Sequence, residues 1–186
     1  MVSAQEILKK YWNYNSFKPV QEDIIRHINE KGDAFVLMPT GGGKSLCFQI
    51  PALMMKGMTI VITPLISLMK DQVMRLKSLG INAEAIYSGM TKMDIHRILD
   101  SCLTGKIKLL YLSPERINTS LFKEFANGLH VDLIVADEAH CISQWGYDFR
   151  PAYLKIREAR KIFPKARIMA LTASATPEVV NDIMEH

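Results

Sequence analysis

Apolar residues along this chain fall into two alternating patterns. Short continuous runs of strand length occupy residues 35–38, 58–63, 107–112, 131–136 and 167–171, with a briefer one at 83–87. Between them the apolar positions recur every three or four residues, as in Val20, Ile24, Ile25 and Ile28 or Met69, Val73, Leu76 and Leu79, which is the period of a helix with one buried face. This spacing predicts helices over 4–12, 45–55, 92–103, 120–126 and 152–163. A further helix opens with Pro19 at its first position, another closes on Gly80 as a C-cap, and a terminal one opens at Pro177. Turn formers such as Asn13-Tyr14-Asn15-Ser16 and Lys31-Gly32-Asp33 punctuate the series. Strands separated by helices of this length pair in parallel, so the expectation is an α/β fold: a parallel β-sheet covered by helices on both faces. On such sheets ligands gather at the carboxyl ends of the strands. The residues expected there are the glycines after residue 38, Thr63-Pro64, Ser113-Pro114, Asp137-Glu138 and Thr172.

Composition narrows the class without naming a chemistry. The 186 residues are 48% hydrophobic, enough for one domain with a substantial core, and residues 1–186 contain no repeat, low-complexity tract or interdomain linker. A net charge of +4 permits a nucleic-acid partner without requiring one. Three cysteines with no CxxC pair disfavour a disulfide framework and a zinc site, and fit a reducing cytosol. No apolar run reaches the roughly 20 residues of a membrane span. The expectation is a soluble intracellular lobe of something larger.

The chemistry begins at Phe35-Val36-Leu37-Met38-Pro39-Thr40-Gly41-Gly42-Gly43-Lys44-Ser45. A strand-length run breaks at Pro39, passes three glycines and delivers Lys44-Ser45 to a helix start. Backbone N–H groups freed of Cβ neighbours, with a helix N-terminus behind them, cradle phosphate oxygens. Lys44 is placed to reach the β- and γ-phosphates and Ser45 to hold Mg²⁺. The general pattern has glycine where this chain has Met38. Asp137-Glu138, at the end of the run 131–136, supplies two carboxylates: one to hold Mg²⁺ and one to orient or deprotonate an attacking water. These parts point to phosphoryl transfer from ATP. No residue is an obvious cationic finger for the developing charge.

The runs Met38 to Cys47, Thr63 to Val73 and Asp137 to Gly146 together resemble the RecQ family of superfamily-two DNA helicases, with the likeness continuing in order from Tyr14 to about Thr176. The resemblance implies a RecA-like first lobe that uses ATP and Mg²⁺ to move 3′ to 5′ on single-stranded DNA and unwind duplexes in repair and recombination. It implies a second RecA-like lobe, with the arginine finger, zinc module and winged helix, outside these 186 residues. It casts Tyr14 as the aromatic on adenine, Gln21 as the amide at the adenine edge, and Lys18 where most relatives carry arginine. Asp137 and Glu138 become metal ligand and catalytic base, and His140 joins them to Thr172-Ala173-Ser174 and to DNA. It implies that Cys141 to Arg150, with Trp145, Tyr147, Phe149 and Arg150, senses single-stranded DNA. Thr63, Ser67, Ser113, Glu115 and Arg116 are cast as contacts to the DNA strand. On charge alone, Lys70 and Arg75 read as a solvated helix face. Two other readings stand beside this one: a superfamily-two motor acting on RNA or chromatin, and an inactive nucleic-acid-binding lobe. Location would follow the DNA, in the nucleoid or the nucleus.

Overall fold

A computed structural model describes residues 2–146 and 148–185. Six parallel strands form one sheet in the order β1-β6-β5-β2-β4-β3. They are β1 (Ala34–Leu37), β2 (Met58–Ile62), β3 (Ala83–Ile86), β4 (Leu109–Leu112), β5 (Val131–Ala136) and β6 (Arg167–Thr172). The helices are α1 (Ala4–Trp12), α2 (Gln21–Glu30), α3 (Lys44–Met54), α4 (Ile66–Ser78), α5 (Lys92–Leu103), α6 (Ser120–Ala126), α7 (Ile156–Ile162) and α8 (Pro177–Glu185).

Neighbouring residues in the central strands point to opposite faces, and both faces are buried, so these strands read as unbroken apolar runs. Val61, Tyr111, Leu133, Val135 and Met169 meet α1, α2, α3 and α4 on one side. Ile60, Ile62, Leu110, Leu112, Ile134 and Ala136 meet α5, α6, α7 and α8 on the other. The two cores share a backbone sheet and no side chains, which is what alternation along each strand produces. Among the described residues no helix is long and apolar enough to cross a membrane. All three cysteines are free and buried.

Three sequence expectations need correction. Helix α2 starts at Gln21 rather than at Pro19, because Val20 takes a left-handed conformation (φ +73°) that no helix can include. Residues 152–163 are split: Pro151–Lys155 form a tight 3-10 turn and only Ile156–Ile162 are α-helical. The run 107–112 pairs as a strand only from Leu109. The first two departures lie at the carboxyl end of the sheet.

Candidate functional site

The loop after β1 turns on two glycines with positive φ, Gly41 (+78°) and Gly43 (+87°), before α3 begins at Lys44. Side chains at Gly42 and Gly43 would not fit unless a neighbour shifted. A Cβ at Gly42 would lie 2.6 Å from Met38 Cγ, and one at Gly43 would lie 2.3 Å from Gln21 Nε2. The residue that replaces the expected leading glycine, Met38, is thus itself packed beneath the loop, and its N–H donates to Thr172 O at 3.0 Å. Behind the loop, the Gln21 amide accepts from Lys18 N at 2.8 Å and donates to Gly43 O at 3.1 Å. Lys18 Nζ donates to Gly41 O at 2.8 Å. The unhelical Lys18-Pro19-Val20 turn is what brings both side chains to the loop. A cavity of about 490 Å³ is lined by Tyr14, Lys18, Gln21, Gly43, Ser45 and Gln72, among others. Tyr14 is half exposed at its mouth and Gln21 is buried at its base. For Gln21 to read a base edge, its amide must exchange at least one of its loop contacts.

Strand β5 delivers Asp137 and Glu138 to the same edge. Asp137 is 5% exposed. Burial, then the neighbouring Glu138 charge, pushes its pKa up from 3.8 to about 6, against the opposing pull of the Glu138 N–H, Lys44 and a hydrogen bond from the Gln72 side chain. Glu138 takes a left-handed conformation (φ +52°), uncommon for a residue with a side chain and found mostly where function requires it. That turn aims Glu138 back across the sheet edge: one carboxylate oxygen lies 3.9 Å from Lys44 Nζ and the other 3.4 Å from His140 Nδ1. His140 Nδ1 also lies 2.8 Å from Thr172 Oγ1. Because the Thr172 hydroxyl donates its single proton to Ser174 O, it can only accept from His140, which assigns the proton to Nδ1. The ends of β1, β5 and β6 are therefore joined side chain to side chain.

Oxygen donors suit Mg²⁺, and Asp137 and Ser45 offer a carboxylate and a hydroxyl at this edge. Another cluster does not suit a metal. His140, Cys141 and Asp148 bring ligand atoms within 4.8 Å of one another. But Asp148 pairs with Arg150, and burial pushes the Cys141 thiol up to about 12, so it keeps its proton.

The residues expected to meet DNA divide sharply. Ser67 is exposed at the start of α4, and Trp145 is 75% exposed. Phe149 and Arg150 are partly covered. Tyr147 lies outside the described residues. Thr63 and Ser113 are both buried, and their N–H groups extend the ladder to Leu112 O and Ile86 O. The Ser113 hydroxyl donates to Glu115, and the Thr63 hydroxyl is buried with no hydrogen-bond partner among the described residues. Arg116 is turned inwards onto Tyr87 O at 2.9 Å. Thr40 and Gly41 are exposed on the phosphate loop.

Sequence reasoning missed Tyr153, Tyr111, Gln49 and Gln72. Tyr153 is fully buried and donates to Asp137 O at 2.6 Å, which explains why Pro151–Lys155 tightens into a turn instead of starting the helix. The available signal was a polar tip within an apolar pattern, as in Leu109-Leu110-Tyr111-Leu112.

Comparison with known proteins agrees with this geometry. The sequence pattern of the family described as DEAD/DEAH box helicase matches residues 18–183. The chain is 50% identical over 182 residues to the ATP-dependent DNA helicase RecQ of Bacillus subtilis (strain 168), a match that covers 97% of this chain and 31% of that protein. Identity to the ATP-dependent DNA helicase RecQ of Haemophilus influenzae is 46% over 184 residues, 99% of this chain and 30% of that one. The chain thus spans about a third of the length of these relatives. Its fold is similar to that of the DUF1998 helicase MrfA bound to DNA and AMPPNP, with a TM-score of 0.77 at 14% identity over 100% of this chain and 29% of that one. A TM-score of 0.67 at 22% identity relates it to the Pyrococcus furiosus Hef helicase domain, over 100% of this chain and 38% of that one. Pattern match and long-range identity together leave one conclusion: this chain belongs to the DEAD/DEAH box helicase family, and over nearly its whole length it is similar to the RecQ DNA helicases.

Proposed function

We propose that residues 1–186 form a single ATP-binding lobe of a RecQ-type helicase that couples Mg²⁺-dependent ATP hydrolysis to 3′ to 5′ movement on single-stranded DNA and to duplex unwinding. The observation that carries this reading is the junction of Lys44, Glu138, His140 and Thr172 across three strand ends beside a glycine loop crowded at Gly42 and Gly43.

In this reading the loop N–H groups and the Lys44 ammonium bind the triphosphate, and Tyr14, Lys18 and Gln21 hold the base side of the nucleotide. Lys44 lies within reach of Glu138, so drawing its ammonium onto a phosphate releases that carboxylate to accept a proton from the attacking water. His140, with its Nδ1 proton shared between Thr172 and Glu138, fixes the direction in which Glu138 points. Asp137 and Ser45 would hold Mg²⁺, whose charge neutralises the phosphates. A second RecA-like lobe would close over the nucleotide and supply the missing cationic finger; without it, the 186 residues alone should bind nucleotide weakly and turn it over poorly. DNA rather than RNA as the track is supported by the two relatives named above, both DNA helicases by name. Such a protein would work in the nucleoid or nucleus.

The test is Lys44→Ala in the full-length enzyme. The expected result is loss of DNA-stimulated ATPase by at least about a hundredfold, in line with removing a charge aimed at the transition state. Unchanged activity contradicts the assignment. Stimulation by single-stranded RNA in place of DNA would shift it to an RNA motor.

A further inference from the structure

The Trp145 ring is 75% exposed, so packing does not set its direction. The backbone beneath it does. Gly146 N donates to Ser143 O at 3.1 Å, closing a four-residue turn with Gln144 and Trp145 at its two central positions. Both of these side chains are exposed. The base of the turn is pressed against its neighbours: a Cβ at Gly146 would lie 2.9 Å from His140 O and 3.2 Å from Ser143 O. Glycine lets the closing residue sit directly on the backbone of the short turn Ala139–Ile142.

Ser143 supplies a second hold. Its side chain is fully buried, donates to Asp182 Oδ2 at 2.6 Å and accepts from Trp145 N at 3.1 Å. Proton count fixes these directions, because a backbone N–H can only donate and the single hydroxyl proton is left for the carboxylate. A serine hydroxyl bonded to the backbone two residues on is a common turn device, and by itself a weak one. Here its other partner stands 39 residues away on α8, which converts a local turn into a tertiary anchor. A hydroxyl proton given to a carboxylate at this length is among the stronger hydrogen bonds. Helix α8 is itself fixed: Val179 and Ile183 are buried in the same core as Ala139 and Ile142, and Asp182 immediately precedes Ile183.

We propose that Asp182, acting through Ser143, is a positioning residue that holds the Trp145 turn in its base-stacking orientation before single-stranded DNA arrives. This rests on Trp145 being a contact to DNA in the function proposed above. An exposed ring on a loose loop has to be ordered when the strand binds, and that cost is taken from the affinity; a turn already anchored avoids it.

The experiment measures binding of a fluorescein-labelled oligothymidylate to the full-length protein by fluorescence anisotropy. Wild type, Asp182→Ala, Ser143→Ala and Asp182→Asn are compared, each with Trp145 in place and each with Trp145→Ala. With Trp145 in place, Asp182→Ala and Ser143→Ala should each weaken binding by roughly 3–10-fold, the size expected for ordering one large side chain. In the Trp145→Ala background the same substitutions should change affinity by less than about twofold, because the group they position is gone. Asp182→Asn keeps a carbonyl oxygen for the Ser143 proton and should recover most of the affinity lost in Asp182→Ala. The Asp182 side chain is only partly covered, so Asp182→Ala remains decisive if Ser143→Ala folds poorly. Wild-type affinity in Asp182→Ala overturns the proposal. So does a loss of equal size with and without Trp145, which would mean that the anchor serves the fold and not the ring. Asparagine as weak as alanine overturns the hydrogen bond to Ser143 as the route. Failure of the underlying reading looks different: Trp145→Ala alone would leave oligothymidylate affinity unchanged.

Discussion

The acid-bearing edge of the sheet and the segment from residue 143 to 150 are adjacent in sequence yet built on opposite principles. At the edge, Asp137, His140 and Thr172 are buried, and every one has a named partner. In the segment, the backbone is tied where it is described and the Trp145 side chain is not. Ser143 donates to Asp182 on α8 at 2.6 Å and Arg150 N bonds Cys141 O at 2.9 Å, while Trp145 stands 75% exposed. In the function proposed above, the exposed Trp145 ring is the face that a DNA base would cover. Groups that must hold reacting atoms are fixed internally. In the proposed function, the groups left exposed are the ones that meet the DNA.

Substitutions can break this contrast. The largest stability effect is expected at Asp137. Its folded pKa of about 6 lies above the ordinary 3.8, so the protein prefers the protonated acid. Stability from this group is fully present below about pH 4 and is lost as pH rises through about 6, a cost of roughly 3 kcal/mol at neutral pH. Asp137→Asn should therefore raise the melting temperature at pH 7.5, and the gain should vanish by pH 4. A variant less stable than wild type at pH 7.5 would mean that the carboxylate is held by more than the partners seen here. Function kept at a cost in stability is the expected mark of such a site.

At Trp145 the effect should fall on the partner and not on the fold. Stacking one base on an aromatic ring is worth about 1–3 kcal/mol, so Trp145→Ala should weaken single-stranded DNA binding by roughly 5–150-fold. Unfolding free energy should move by less than about 0.5 kcal/mol, as for an exposed position. A large loss of stability, with DNA affinity intact, would make Trp145 a packing residue.

Tyr153 tests the buried side more finely. Tyr153→Phe keeps the ring and removes the hydroxyl from Asp137 O, which should cost about 1–2 kcal/mol in denaturant unfolding. A cost near zero would show that water or another donor replaces it.

Much of this architecture was legible from residue order. The strands announced themselves because both faces of the sheet are buried, leaving runs such as Val131–Ala136 nearly free of polar residues. The glycine loop and the acid pair were legible because their chemistry is local: phosphate cradling needs consecutive residues without Cβ, and the acids sit side by side. What could not be read was set by distant contacts. Tyr111 meets Gln49 and Gln72 at separations of 62 and 39 residues, and nothing near any of the three predicts it. Thr63 and Ser113 follow strand ends, where a hydroxyl usually reaches water. Here adjacent strands extend their pairing by one residue and close over them. The second helix began later than Pro19 implied because the Lys18 and Gln21 side chains are needed at the phosphate loop, and only a left-handed Val20 turns the backbone towards it.

The central claim is that a triphosphate and its Mg²⁺ lie between the Gly41–Gly43 bend and the Asp137-Glu138 pair. A crystal structure of this lobe grown with Mg²⁺ and AMPPNP tests it directly. The account predicts phosphates against the loop N–H groups, Lys44 Nζ withdrawn from Glu138 onto them, and the metal bridging Ser45 and Asp137. Nucleotide bound elsewhere, or bound with Lys44 still facing Glu138 and no metal at Asp137, would contradict it.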